Sequence, residues 1–345
     1  MRVPSSSKTT THLEPTINFL WESSLATGTR SAYSTGFQTF KSFLLMVGLW
    51  IPGSSLPPVV NEDTLIYFVA HCTQMLHLTY HTIKLYLAGI RHSYLHLGIH
   101  TPLTHINSLL RLQNILKGVR KVQCDYRQKR LPITYDILCD IWQCLEHYGV
   151  SEYTKLLLQT ASALAFFAFL RCGEFTIHGA HFSAANNLCM SDIIFHTDKC
   201  LFVLHLRASK TDVFRQGVDI HIYSMHCDVL VCPYRVMRKF HRIRILAGAR
   251  PCDPLFLMDN GQALSRTFFI TTIKAILSTL GYDARRYNGH SFRLGVATSA
   301  AKAGLPDHLI QTLGRWSSNA YCRYIQVHPD RINFAQRQMS HQVPH

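Results

Sequence analysis

Apolar and aromatic residues recur at three- and four-residue spacing over most of the first third of the chain, from Glu14 to about Lys121. That period belongs to amphipathic helices. TRSAYSTGFQTFKSFLLMVG carries it behind a possible Thr29 cap, and NEDTLIYFVAHC opens with the Asn and acidic residues that suit a helix start. TYHTIKLYLAGIRHSYLHLG runs to a stopping Gly98, and NSLLRLQNILKGVRKV follows a loop at Pro102. Four or five helices in an all-α domain are expected. Helical patterns resume at Tyr135–His147 and Ser151–Leu170. The period then shortens: DIIFH, CLFVLHLRA and GVDIHIY are β-rich runs between polar turns, predicting a small antiparallel sheet. Helices return at Pro233–Leu246, Ser265–Leu280, Ser291–Ala303 and Asp307–Gly314. The fold class expected is mainly α, an all-α first domain followed by a mixed α/β domain.

The boundary is drawn from polarity and charge. Residues 1–13 are Ser/Thr-rich and read as a disordered tail, 14–123 as the helical domain, 124–131 as a basic linker and 132–345 as the second domain. Seven cations (Arg111, Lys117, Arg120, Lys121, Arg127, Lys129, Arg130) stand against Asp125 alone between positions 111 and 130. Residues 1–130 hold 13 basic and 5 acidic side chains, so the smaller domain is the more densely positive. The whole chain of 345 residues carries 35 Lys+Arg against 20 Asp+Glu, a formal charge of +15. Such a surplus suits an anionic polymer, because neutralising phosphates releases counterions. Double-stranded DNA is the expected partner, and the seven cations are its expected contacts.

The eleven cysteines form no CxxC pair and no zinc-spaced His/Cys pattern, which suits reduced thiols and argues against a metal site. The N-terminus lacks a signal-peptide core, and the apolar run around Ala163–Leu170 is too short to span a bilayer. A soluble intracellular protein is expected, without a membrane partner and nuclear in a eukaryotic host.

Candidate chemistry concentrates in GHSFRLGVATSAAKAGLPDHLIQTLGRWSSNAYCRYIQ, residues 289–326. His290 and Arg293 are three apart, and in a helix such a pair projects from one face. Trp316, Tyr321 and Tyr324 follow. Cleaving a phosphodiester without metal requires a nucleophile, cationic donors for the phosphorane, a general acid for the leaving oxygen and a base for the nucleophile's proton. Arginine is the favoured donor because its planar fork makes two hydrogen bonds to phosphate and stays charged. Arg171 ends an apolar helical run, with Glu174 one turn on to orient it. Lys210, between two predicted strands, can reach into a groove as proton donor.

Together these segments resemble the tyrosine recombinase (phage integrase) family. LRCGEF resembles its first arginine box, SKT its hairpin lysine, GHSFRLGVATSAAKAG its His-x-x-Arg box and LGRWSSNAYCRYI its terminal segment. The resemblance covers Pro132–Gln326. RWSSNAYCRYI is closer to recombinases of eukaryotic mobile elements, such as Cryptons and tyrosine-recombinase retroelements. The resemblance implies a SAM-like core-binding DNA clamp ahead of a catalytic domain, with no metal or cofactor. It further implies that Arg171 and Arg293 grip the scissile phosphate while Lys210 protonates the departing 5′-oxygen. His290 would assist proton transfer, Trp316 would hydrogen-bond a non-bridging oxygen, and Glu174 would support. Tyr324 would be the nucleophile, forming a 3′-phosphotyrosyl link within a homotetramer.

The chain departs from the pattern in one interval. Trp316 to Tyr324 is eight residues, where nine is common in bacterial and phage members. Tyr321 is the rival nucleophile; Tyr324 is preferred for its RYI context. RINFAQRQM near the C-terminus is a possible docking helix for a neighbouring protomer. Two other readings remain open: a catalytically idle DNA-binding descendant, and a type IB topoisomerase, which shares the chemistry.

Overall fold

The computed structural model describes residues 11–100, 102–103, 109–123, 129–179, 181–207, 216–225, 230–316, 318 and 322. The chain divides into two compact units, Met1–Arg127 and Gln128–His345. Among the described residues the fold is mainly helical with one three-stranded antiparallel sheet.

The first unit contains α1 (Glu14–Ser23), α2 (Thr27–Met46), α3 (Glu62–Gln74), α4 (Tyr80–His96) and α5 (Leu110–Val122). Asn61 caps α3 by accepting a hydrogen bond from the Thr64 N–H at 2.9 Å, as its sequence suggested. The expected Thr29 cap is wrong: α2 begins at Thr27, and its N-cap is Ala26, three residues before Thr29 and without a side-chain cap. An N-cap needs extended backbone, and here Ala26 has it (ψ 145°), leaving Thr29 inside the helix. Phe40, Phe43, Phe68 and Tyr94 form the aromatic centre of this core. Glycines let α2 and α4 cross closely. A Cβ on Gly36 would lie 2.7 Å from the Tyr86 Cα, and one on Gly89 2.6 Å from the Tyr33 carbonyl oxygen. α5 is tied at both ends. The Glu62 carboxylate accepts from the Leu112 N–H at 2.9 Å, and the Gln123 amide bridges the Tyr80 N–H (2.7 Å) and Leu78 carbonyl (2.8 Å).

The second unit is built around α7 (Glu152–Phe167), whose run Leu156–Leu158 and Thr160–Phe166 is buried. α6 (Tyr135–Glu146), α9 (Pro233–Leu246) and α11 (Ser291–Lys302) pack on it, and α10 (Arg266–Thr279) packs on α6. Burial of every residue from Thr160 to Phe166 explains why the second half of α7 carries no charged stripe, whereas Lys155 and Gln159 mark a partly open side in its first half. Trp142 of α6 donates its indole N–H to Ser162 of α7 at 3.1 Å, satisfying two polar groups inside the contact. The one-turn α8 (Cys172–Phe175) follows α7, and α12 (Asp307–Leu313) follows α11. The strands are β1 (Ile193–His196), β2 (Leu201–Leu206) and β3 (Val218–Tyr223), with β2 central. Leu204 pairs with both Ile193 and Ile220. β2 is buried at every position except His205, which accounts for its continuous apolar run; β3 is mostly exposed and alternates. The strands coincide with the three β-rich runs read from the sequence.

Adding a methyl at Gly89 forces helix backbones apart, because the obstructing atom belongs to the main chain. Gly89→Ala is expected to destabilise the protein by about 1–3 kcal/mol, read as a lower urea midpoint. An unchanged midpoint would mean that the crossing is looser than described.

Candidate active site

The site is built on the carboxyl end of α7. The helix closes through hydrogen bonds from Phe169 N to Phe166 O and from Leu170 N to Ala165 O, which require a left-handed residue at Phe169 (φ 51°). A glycine is the usual occupant of such a closure, and a phenylalanine there costs backbone strain of about 1–2 kcal/mol. The turn presents the carbonyls of Ala168 and Phe169, just past the last helical residue Phe167 and near the negative end of the α7 dipole, to the residues that follow. Two guanidinium groups take them. Arg293 of α11 donates Nη1 to Phe169 O, and Arg315 donates Nη1 to Ala168 O at 2.9 Å and Nη2 to Phe169 O at 3.2 Å.

Arg171 is two residues past that turn and caps α8. Its main-chain N–H donates to Glu174 Oε2 and its Nη1 to Glu174 Oε1, both at 2.8 Å. The sequence expectation that Glu174 orients Arg171 corresponds to this pair. The carboxylate also faces Arg315, whose Nη2 lies 3.4 Å from Oε2. Glu174 is 6% exposed, Arg171 16% and Arg315 14%. Burial pulls the Arg315 guanidinium below its ordinary pKa. The Glu174 carboxylate opposes that shift and the like charge of Arg171 adds to it. Arginine's ordinary value is high enough that the group stays cationic.

Arg293 is fully buried. Its Nη2 donates to Gly314 O, and its Cζ lies 4.4 Å from the Trp316 ring centroid, a cation–π contact. Trp316 meets Phe169 edge-on at 6.1 Å. Its ring occupies the space a side chain on Gly314 would need, 1.6 Å from the position of a Cβ there. His290 is exposed and stands just ahead of the first residue of α11, its N–H donating to Asn288 Oδ1 at 2.9 Å. The pair expected to project from one helical face is therefore split between a solvated cap and a closed interior. The reason is position: His290 precedes the helix, whereas Arg293 lies in its first turn.

The two arginine-bearing segments meet through a glycine. Gly289 lies against Cys172, where a Cβ would come within 2.8 Å of the Cys172 Cβ, and a second close approach seats Gly295 on the Ile133 carbonyl. Arg266 Nη1 and His178 Nε2, 3.1 Å apart, lie beside the same contact. Cys172 is buried, and desolvation raises its pKa, so it is no ready thiolate.

No family model matches the chain, and no curated protein matches it. Solved structures do. XerH site-specific recombinase bound to palindromic difH substrate, a post-cleavage complex, aligns with TM-score 0.62 at 15% identity, over 89% of this chain and 78% of that one. The Tn1549 transposon integrase in complex with transposon right end DNA aligns with TM-score 0.54 at 13% identity, over 91% and 99%. A lambda integrase dimer bound to a COC′ core site gives 0.54 at 16%, over 91% and 76%. The chain has the tyrosine-recombinase fold. At these identities the likeness is one of fold.

Within that recombinase fold, Arg171, Glu174, Arg293 and Trp316 are brought together, with His290 at the exposed start of α11. Lys210, Tyr321, Tyr324 and Arg127 lie outside the described residues, as does RINFAQRQM. In the first unit Lys117, Arg120 and Lys121 are exposed along α5, whereas Arg111 is drawn onto Asp63 at 2.7 Å. Lys129 and Arg130 are exposed, and Arg130 donates to the Arg285 carbonyl at 2.8 Å. Among the described residues no cluster could hold a metal ion, and no helix is long and apolar enough to cross a membrane. The residue that sequence reasoning missed is Arg315. A signal existed: counted from Arg315, not Trp316, the interval to Tyr324 is nine residues.

Gly314→Ala places a methyl inside the volume of the Trp316 ring. It is expected to displace the indole, red-shifting tryptophan emission and lowering stability by about 3 kcal/mol. Unchanged emission and stability would show that the ring does not rest on Gly314.

Proposed function

We propose that the chain is a DNA strand-transferase that cuts and rejoins duplex DNA through a 3′-phosphotyrosyl intermediate. The reaction serves site-specific recombination, or integration and excision of a mobile element. The observation that carries this reading is the convergence of Arg171, Arg293 and Arg315 on one turn, with a single carboxylate, Glu174, set between two of them. An arginine-rich cluster held at a helix end within a recombinase fold matches the charge and geometry of a phosphodiester.

In the proposed reaction the Tyr324 phenol oxygen attacks phosphorus and the bond from phosphorus to the 5′-oxygen breaks. Lys210 gives that oxygen its proton, and His290, solvated at the start of α11, assists removal of the phenol proton. Arg171 offers its fork to the non-bridging oxygens, and Arg293 supports the cluster from beneath. A 5′-hydroxyl of a partner strand then attacks the phosphotyrosine and releases the phenol. The phosphodiester energy is held in the link, so the balance needs no ATP, metal or cofactor. The first unit acts as the core-binding clamp through the exposed cations of α5, and the synaptic assembly is a homotetramer.

One observation favours a second reading. Arg293 is closed over by Trp316 and holds two carbonyls, an arrangement that suits a chain retaining the fold for DNA binding alone.

Suicide substrates drawn from a pooled DNA library decide between the two. The wild-type chain is expected to trap a covalent adduct; Tyr324→Phe abolishes it, and Tyr321→Phe retains it. The reverse pattern moves the nucleophile to Tyr321, and DNA binding with no adduct from any substrate supports the second reading. Independently, the double variant Lys117→Ala/Arg120→Ala is expected to weaken binding evenly across sequences. It should also flatten the plot of log affinity against log salt by about 2 units. An unchanged slope would remove α5 from the interface.

A further inference from the structure

We infer that Arg315 is a positioning residue: through the shared Glu174 carboxylate it fixes the Arg171 guanidinium and offsets the carboxylate's charge. The inference rests on the reading of Arg171 as a phosphate contact. Glu174 has two oxygens, and each is engaged. Oε1 takes Arg171 Nη1, and Oε2 takes both the Arg171 N–H and, at 3.4 Å, Arg315 Nη2. Glu174 is thereby held at both oxygens, and the guanidinium of Arg171 inherits its orientation.

The charge argument is separate. A carboxylate beside a phosphate-binding arginine repels the phosphate that the arginine is meant to hold. Glu174 is 6% exposed, so solvent screens it poorly. A second cation on the same carboxylate removes that repulsion while leaving the orienting hydrogen bonds in place. Arg315 supplies it from 141 positions along the chain.

The backbone also points to use of the side chain. Arg315 adopts φ 53°, a left-handed conformation that glycine or asparagine would take at less cost. The conformation is held by hydrogen bonds from Arg315 N to Thr312 O and Trp316 N to Gln311 O. It sends the guanidinium inward, where Nε is buried without a hydrogen-bond partner among the described residues while the two Nη atoms reach three acceptors. Because the tyrosines follow directly in sequence, the residue that sets Arg171 belongs to the same segment as the nucleophile.

The test uses the full-length chain with Arg315→Gln, Arg315→Lys, Glu174→Gln and the double variant Arg315→Gln/Glu174→Gln. Arg315→Gln is expected to slow adduct formation on a suicide substrate by about 100-fold, the order seen when one preorganised donor is lost, while DNA affinity holds. Arg315→Lys recovers part of the rate, because the charge returns without the fork. The double variant is no slower than its slower single parent, since both changes act through one carboxylate. Nitrogen-15 NMR of the Arg171 Nε–Hε group reads position directly. Its solvent exchange accelerates in Arg315→Gln, and this readout stands even where no adduct forms. Additive rate losses, or an Arg171 signal unchanged in Arg315→Gln, overturn the inference. Absence of an adduct in the wild type, with the Arg171 signal responding as expected, overturns the strand-transfer reading and leaves the positioning role standing.

Discussion

The Phe169 carbonyl is the point on which the arginine cluster of the second unit is assembled. It lies two residues past the end of α7, the helix at the centre of the core, in the turn that closes that helix, and it accepts hydrogen bonds from Arg293 and Arg315. A helix end buried without partners is costly, because its last carbonyls have no intrahelical donors. Guanidinium groups solve that problem and bring positive charge to the same spot. Burial of the turn and the placing of positive charge therefore draw on one set of atoms. The left-handed Phe169 turn aims the carbonyl, and Arg171 follows two residues later on the same rigid support.

Local features were legible in the sequence where a short-range physical rule produces them. Asn61 caps α3 because an Asn side chain can reach the N–H three residues on, and the alternating run of β3 reflects a half-exposed edge strand. The apolar continuity of β2 up to Leu204 and the uncharged run of α7 from Thr160 to Phe166 follow from burial of every residue in those stretches. The Thr29 cap failed because Thr, Ser and Gly residues crowd that stretch, and only the backbone at Ala26 decides which position starts the helix.

The site was legible in part. Arg171 with Glu174 is a local pair, three residues apart, and its hydrogen bonds follow from spacing. Arg293 was found, but its burial was not, since that depends on Trp316 folding back across Gly314 and on a carbonyl 124 positions away. The part Arg315 plays was not legible beside Trp316, because its acceptors Ala168, Phe169 and Glu174 lie 141 to 147 positions away. Its meaning comes from long-range partners that no periodicity encodes.

The opening residues of the second unit are tied to α11 and the turn before it. Leu131 donates its N–H to the Arg286 carbonyl, Ile133 to Ser291, and α11 rests a glycine directly on the Ile133 carbonyl. The stretch Leu131–Ile133 is thus fixed against the helix carrying Arg293. Leu131 and Ile133 are therefore part of the bed on which Arg293 rests, so the packing of that arginine is set as much by a stretch of main chain as by its own helix.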